Sequence, residues 1–382
     1  MTSRRDLLKA GAAFAAAAAL PHSALAQAAA TPAAAATFAP KPGNWRSFEV
    51  VTTLDVAPLE GKAGPAQKSP VQAWVPLPSY AAEDWFKPGE STWKTNARTA
   101  EVVQDPHYGA KLLHLTWAEG EDKPQVEITS TFATRDRATD LSTPGSAAPL
   151  SAQDRALFLK ATDLIPTDGL VKQTSDKIVA GKTTDVEKAR AIYEWVVENT
   201  YRNAATRGCG TGDIASLLAS GNLGGKCADL NALFVGLSRA AGLPARDLYG
   251  IRVAPSAFGY KSLGANSPVI SKAQHCRAEV WLEGFGWVGV DPADVRKVVL
   301  EEPPGKNAID DAKVVAARKA LFGAWEGNWL AYNDGHDIAL PGSSGPKLGF
   351  LMYPQAEVAS LRQDCLDPDA FKYTIKASEI SA

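Results

Sequence analysis

Apolar and polar residues alternate through much of residues 45–146. The clearest alternating runs begin at Phe48, Val71, Leu112 and Val126, and residues typical of turns separate them. A period of two is typical of strands with one buried face. Several such strands in succession predict a β-sandwich-like domain.

The period changes to that of helices from about Ser151. Thr184 or Asp185 is placed to cap a helix that continues to about Asn199. After Cys227, apolar residues recur three and four positions apart until Gly242. The pattern predicts a second helix with one buried face.

The chain begins with features of an export signal. Residues 3–9 contain a twin-arginine pair, Arg4 and Arg5, and an Ala-rich apolar run follows. That run is too short to cross a bilayer. Small residues at Ala24-Leu25-Ala26 then suit a signal peptidase. We expect a bacterial periplasmic or secreted protein without a membrane span.

These patterns divide the chain into five parts. The predicted parts are a twin-arginine signal peptide (1–26), an Ala/Pro-rich, disordered linker (27–44), a β-sandwich-like domain (45–146), a second domain (150–300) and a C-terminal extension that packs on the core (301–382).

The charge balance excludes some classes of function. The 382 residues carry 40 Lys and Arg against 42 Asp and Glu, a net charge of −2. A nucleic-acid-binding protein would need a clustered excess of cations. The five His are scattered without the spacing of metal ligands. We therefore expect no nucleic-acid partner, no metal and no cofactor.

Cys227 is placed for nucleophilic chemistry. It follows Gly224, Gly225 and Lys226 and lies in the first turn of the predicted helix. Free N–H groups and the positive end of the helix dipole stabilise a thiolate there. The same N–H groups can bind an oxyanion. An inert buried cysteine is the alternative.

A predicted hairpin carries two further candidates. His275 lies at the start of a strand, and its side chain points away from the apolar face of that strand. Asp291 ends the next strand. A three-residue loop at 283–285, with Gly284 or Gly286 in a left-handed conformation, sets Asp291 opposite Arg277, on the side of His275. An even loop would turn Asp291 to the apolar face. Alternatively, Asp291 only ends the strand and caps the next element of the chain.

Cys227, His275 and Asp291 together provide a nucleophile, a base and a group that orients the base. The sequence does not decide which of four side chains is the second hydrogen-bond donor to the oxyanion. The candidates are Gln274, Asn222, Tyr201 and Trp195.

Three stretches resemble the motifs of the transglutaminase-like superfamily. They are Gly224–Asp229 with the helix after it, His275–Trp281, and Gly286–Pro292. The resemblance covers about residues 150–300 and implies that they form a transglutaminase-like catalytic domain. It implies a papain-like α+β core in which a helix carrying Cys227 packs on an antiparallel sheet carrying His275 and Asp291. One departure is Cys276, where the family often has an aromatic residue.

The resemblance implies a cysteine enzyme, either a hydrolase or an acyltransferase, that acts on amide bonds through a thioester. The implied substrate is a protein or peptide, attacked at an amide side chain or a peptide bond. Resolution by water would give a peptidase or amidase, and resolution by an amine would give a cross-linking enzyme. The alternatives are an inactive peptide- or cell-wall-binding protein on the same fold and an adaptor acting through its β-domain.

The sequence does not decide which cysteines form a disulfide bond. An exported chain enters an oxidising compartment, but a working Cys227 has to be unbridged. At most one pair then forms among Cys209, Cys276 and Cys365. Cys276 lies on the apolar face of its strand, and we expect it to be buried.

Overall fold

In the computed structural model the alternating segments form antiparallel sheets and the 3.6-period segments form helices. The structure describes residues 37–56, 70–121, 123–367 and 371–380. The predicted signal peptide and residues 27–36 of the predicted linker lie outside these ranges. The α-helices are α1 (Ala152–Leu159), α2 (Gly169–Val179), α3 (Asp185–Asn199), α4 (Ile214–Ser220), α5 (Cys227–Ala240), α6 (Pro292–Glu301) and α7 (Ala312–Ala320).

The first two sheets share one apolar core. One has the order β19 (Lys372–Ile380), β1 (Arg46–Asp55), β6 (Gln125–Thr134) and β3 (Phe86–Thr95). The other has the order β18 (Leu361–Arg362), β17 (Gln355–Val358), β2 (Val71–Leu77), β5 (Lys111–Thr116) and β4 (Thr99–Gln104). Alternate side chains such as Leu54, Ile128 and Leu115 point into the space between them. This is the β-sandwich-like arrangement that the alternation predicts.

The segment after residue 301 is built into the sheets. Its strands β17 and β19 pair with β2 and β1, respectively. The predicted domain boundaries stay a prediction, but this part of the chain completes both sheets of the sandwich in addition to covering the core.

A third antiparallel sheet carries the helix that begins at Cys227. Its order is β12 (Gly286–Val290), β11 (Gln274–Leu282), β10 (Ala245–Arg252) and β14 (Trp329–Asn333). Helix α5 packs on β10 and β11, while α2, α3 and α6 pack around it. All residues of α5 are therefore buried, whereas the sequence predicts burial of one face only. Periodicity within one helix carries no information about how many elements surround it.

Short strand pairs complete the described structure. They are β7 (Arg137–Ala138) with β13 (Ala324–Trp325), β8 (Tyr201–Arg202) with β9 (Gly224–Gly225), and β15 (His336–Ile338) with β16 (Leu348–Phe350).

Two helix starts follow from local sequence. Thr184 caps α3, and its side chain accepts a hydrogen bond from the N–H of Glu187, whose carboxylate in turn accepts from the N–H of Thr184. This capping box confirms the predicted helix and its end at Asn199. Ser151 caps α1 in the same way, through the N–H of Asp154.

The end of the predicted linker is packed against the protein. Phe38 is buried, and its ring makes edge contacts with the rings of Phe258 and Tyr260. For residues around Phe38, the structure thus differs from the expected disordered spacer. The Ala- and Pro-rich composition of this segment did not predict that its aromatic residue, Phe38, is buried.

Candidate active site

Cys227 is the first residue of α5 and is 3% exposed. A carboxylate fixes the chain around it: Asp229 accepts hydrogen bonds from the N–H groups of Lys226, Thr211 and Gly212 at 2.9–3.0 Å. A side chain at Gly225 would lie 2.6 Å from the Cβ of Asp229. The glycine before the cysteine is therefore needed for this close approach.

The β11–β12 hairpin has the predicted register. Ala278 pairs with Val290 and Leu282 with Gly286, which leaves a three-residue loop at 283–285. Gly284 and Gly286 both have positive φ angles, +81° and +77°. The odd loop predicted from sequence is thereby confirmed.

This register brings His275 and Asp291 together. The Nε2 atom of His275 lies 2.7 Å from Oδ2 of Asp291. Asp291 also caps α6, because its Oδ1 accepts the N–H of Asp294 at 3.0 Å. The two roles that the sequence offers as alternatives for Asp291 are thus both present. With Nε2 engaged, Nδ1 is the imidazole nitrogen available to Cys227.

Further side chains hold this pair from behind. The amide of Asn231 donates to the carbonyl oxygen of Cys276 at 2.8 Å and to Oδ1 of Asp291 at 3.3 Å. The indole N–H of Trp329 donates to the carbonyl oxygen of His275 at 3.0 Å. Such contacts fix the ring and carboxylate before any ligand arrives.

A second carboxylate lies beside the imidazole. The Oδ2 atom of Asp294 is 3.4 Å from Nε2 of His275, and its Oδ1 is 2.5 Å from Nη2 of Arg252. Sequence reasoning did not find either residue. The spacing of Asp294, three residues after Asp291, is a signal that could have found it; nothing in the sequence pairs Arg252 with it.

The electrostatics favour a thiolate and an imidazolium. Burial raises the pKa of the Cys227 thiol, but the neighbouring side chains of Cys209, Cys276 and His275 outweigh it and leave that pKa well below its usual range. Burial and Arg252 lower the pKa of His275, yet Asp294 and Asp291 outweigh them and raise it to about 10. The charged pair can therefore persist at neutral pH.

Three thiols meet at this site. The Sγ atoms of Cys209, Cys227 and Cys276 lie within 4.8 Å of one another. All four cysteines of the chain are free, and Cys276 is fully buried, as its strand position predicts. The neighbourhood of Cys209 could not be read from sequence, because it lies in a loop far from the other two along the chain.

In the described part of the chain, two groups of side chains have ligand atoms close enough to share a metal ion. One is the three-thiol group, and the other consists of His275, Asp291 and Asp294. In the second group the imidazole and carboxylates already bond to one another and to Arg252. The expectation of an enzyme without a metal stays a prediction.

A cleft of about 910 Å³, called here the Cys227 cleft, opens beside these groups. Cys227, His275, Cys209 and Tyr353 line it. Of the four candidates for a second oxyanion donor, Gln274 also lines it, and its Nε2 donates to the hydroxyl of Tyr373 at 3.3 Å.

The other three candidates are placed differently. The hydroxyl of Tyr201 donates to the side-chain oxygen of Asn222 at 2.6 Å, so those two side chains satisfy each other. Trp195 packs against the apolar core. The cleft therefore favours Gln274 among the four.

Comparisons with known proteins agree with this architecture. A family model described as the transglutaminase-like superfamily matches residues 172–292. An uncharacterised protein of Haemophilus influenzae is 38% identical over 341 residues, covering 85% of this chain and 89% of that relative. The chain belongs to the transglutaminase-like superfamily.

Two solved structures match the chain to different extents. A candidate cysteine protease from Cytophaga hutchinsonii matches with a TM-score of 0.55 and 14% identity, over 89% of this chain and 92% of that one. The periplasmic domain of TgpA from Pseudomonas aeruginosa matches with a TM-score of 0.32 and 16% identity, over 66% of this chain and 88% of that one. The first of these shows the shared α+β fold.

The N-terminus also matches a known signal. A model of the twin-arginine translocation pathway signal sequence covers residues 1–21. The protein is therefore exported, to the periplasm or beyond. Within the described ranges, no helix is both long enough and apolar enough to cross a membrane.

Proposed function

We propose that the protein is an exported cysteine enzyme that acts on a carboxamide or peptide bond through a thioester acyl-enzyme. Cys227 is the nucleophile, His275 the general acid and base, and Asp291 the residue that orients His275. The observation that carries the proposal is that Cys227 and His275 line one cleft while Asp291 holds the far nitrogen of the imidazole at 2.7 Å.

Acylation uses the charge distribution of the site. The Cys227 thiolate attacks the carbonyl carbon, a C–S bond forms, and the carbonyl oxygen becomes an oxyanion. When the intermediate collapses, the C–N bond breaks and the leaving amine takes a proton from the His275 imidazolium. A thioester and a neutral imidazole remain.

Deacylation reverses these roles. The neutral His275 takes a proton from water or from an incoming amine, which attacks the thioester carbonyl. The C–S bond then breaks and the thiolate leaves, so the ion pair is restored. Water gives a carboxylic acid and hydrolysis, whereas an amine gives a new amide.

Two donors are assigned to the oxyanion. The N–H of Cys227 lies at the N-terminus of α5, where the helix dipole favours negative charge. We assign the side-chain amide of Gln274 as the second donor, because it lines the cleft next to His275. Loss of one such donor typically lowers kcat by about 10²–10³.

The test is acylation of the purified mature protein. We would label it with limiting iodoacetamide near pH 7 and quantify each cysteine peptide by mass spectrometry. Cys227 should react at least roughly tenfold faster than Cys365, which also lines the cleft but has a raised thiol pKa because it is buried. The preference should disappear in His275→Gln.

Turnover then distinguishes the possible outcomes. Ammonia release from glutamine peptides reports acylation, and the mass of the product peptide, glutamate or the new amide when a primary amine is added, separates hydrolysis from transamidation. A Cys227→Ala variant should release none, and Cys365→Ala, the matched control, should behave as wild type. Equal labelling of all accessible thiols and no acyl-enzyme with any amide would contradict the proposal and favour an inactive binding protein.

A further inference from the structure

Cationic side chains outnumber acidic ones along the Cys227 cleft, although the whole chain is slightly acidic and one of these cations, Arg252, is paired with Asp294. The net charge of the chain is −2. Six cationic side chains and one acidic side chain line the cleft in addition to His275. The cations are Arg202, Lys226, Arg252, Lys272, Lys297 and Lys372, and the acid is Asp55.

One group of cations lies on the side of β8 and α6. Arg202 and Lys297 both pair with a single carboxylate, that of Glu301. Burial, Arg252 and Arg202 together lower the pKa of Lys297. Like charges therefore crowd here, and one carboxylate does not neutralise both of its partners.

Lys226 adds a further charge to this group. It lies directly before Cys227, is half-buried, and makes no ion pair with any residue in the described part of the chain. An extended peptide rises about 3.3 Å per residue. An anion held by Lys226 would therefore belong to a residue close to the amide that Cys227 attacks.

A second group of cations lies on the segment that leads into β11 and on β19. Lys272 precedes His275 by three residues, is exposed, and has no ion-pair partner among residues 37–56, 70–121, 123–367 and 371–380. Lys372 lies opposite the acidic residue Asp55 of β1 in the strand register. Lys272 is the uncompensated cation of this group.

A concave site lined by one sign of charge focuses the potential and attracts ligands of the opposite sign. We propose that the Cys227 cleft binds an acidic peptide, with one carboxylate near Arg202, Lys226 and Lys297 and another near Lys272. The inference rests on the proposed function for the position of the amide and adds the substrate class.

The experiment measures binding, so that it does not depend on turnover. Cys227→Ala protein would be titrated with fluorescent peptides of one length, each with a central glutamine flanked by glutamate, serine or lysine residues. Anisotropy would be read at about 20 mM and 300 mM salt, where screening differs strongly. Dextran sulfate, a polyanion without amides, would be a competitor in a separate arm.

We expect the glutamate-flanked peptide to bind at least tenfold more tightly than the serine-flanked one at low salt, with most of the difference lost at high salt. Lys226→Gln and Lys272→Gln should each weaken it several-fold, and the double variant more. Lys177→Gln, at an exposed lysine on α2 outside the cleft, is the matched control and should change nothing. Lys272→Glu should favour the lysine-flanked peptide.

Equal binding of the three peptides, or unchanged affinity in the double variant, would overturn the inference. Displacement of the peptide by dextran sulfate would also overturn it, if that displacement depended only on the amount of added charge and if Lys177→Gln changed it as much as Lys226→Gln and Lys272→Gln do. Tight binding of the acidic peptide without any acyl-enzyme on wild-type protein would leave this inference standing and contradict the proposed function. Acylation of serine-flanked and glutamate-flanked peptides with equal kcat/KM would contradict this inference and leave the proposed function standing.

Discussion

The carboxylate of Asp291 meets the imidazole of His275 through one oxygen only. Oδ2 lies 2.7 Å from Nε2, while Oδ1 accepts the N–H of Asp294 at 3.0 Å and the amide of Asn231 at 3.3 Å. Two donors therefore fix which oxygen faces the histidine. The assignment of the two oxygens therefore predicts the effect of replacing Asp291 by asparagine.

Asp291→Asn should keep the fold and lose catalysis. The two donors hold the amide oxygen at the Oδ1 position, so the NH₂ group must face Nε2 of His275. The ring then accepts at Nε2, carries its proton on Nδ1, and cannot take a proton from Cys227. We expect kcat to fall by about 10²–10⁴, with a melting temperature close to wild type because the cap of α6 remains.

Asp291→Ala is the companion variant. It removes the cap as well, which costs about 1 kcal/mol, and it leaves the buried imidazole without its partner. Thermal unfolding should therefore separate the alanine variant from the asparagine variant. An asparagine variant with wild-type kcat would contradict the assigned orientation of the amide.

Activity should extend to high pH. Asp294 and Asp291 raise the pKa of His275 to about 10, and the leaving amine needs the imidazolium proton. The alkaline limb of kcat/KM should thus lie near pH 10 and reflect loss of that proton, while the acidic limb reflects protonation of the Cys227 thiolate. A bell-shaped profile centred below pH 7 would contradict this assignment.

The thiol of Cys209 should affect the titration of Cys227. The Sγ atoms of the two residues lie within 4.8 Å of each other, and Cys209 helps to lower the pKa of Cys227. Cys209→Ala removes this neighbouring thiol, so the pH at which Cys227 becomes half alkylated should rise. Cys209→Ser keeps a polar hydrogen at the position and should restore much of the shift. Equal midpoints in wild type and Cys209→Ala, measured by peptide mass spectrometry, would exclude the role.

Gly250 should tolerate no side chain. A Cβ there would lie 2.0 Å from the carbonyl oxygen of Leu330 and 2.4 Å from the ring of Trp329. Gly250 is paired with His275, and Trp329 bonds to the carbonyl of that histidine. Gly250→Ala should cost about 1–3 kcal/mol and reduce kcat. Gly43→Ala, where the nearest atom is 3.9 Å away, is the control for denaturant unfolding.

Local chemistry made much of the site predictable. The Thr184 cap and the three-residue hairpin loop depend on neighbours in sequence, so their positions follow from residue types. Cys227 at a helix start follows from the glycines before it and the apolar period after it. Once the hairpin register is set, the meeting of His275 with Asp291 is a geometric consequence.

The remaining features depend on contacts between distant segments. The partnership of Asp294 with Arg252 joins α6 to β10, and no local pattern encodes it. Cys209 approaches Cys227 because the carbonyl oxygen of Cys209 accepts the N–H of Ala228, a long-range bond. The complete burial of α5 likewise depends on the other helices that pack around it, chiefly α2, α3 and α6.

The pairing of β19 with β1 has a consequence for biosynthesis. The first strand of the sandwich acquires its neighbour on that edge only when residues 372–380 have left the ribosome. Until then β1 presents an open edge, a known route to mispairing between chains. A nascent or prematurely terminated polypeptide would thus lack the neighbour of β1 at that edge. A pathway that transports folded proteins would receive only chains in which β19 has paired with β1.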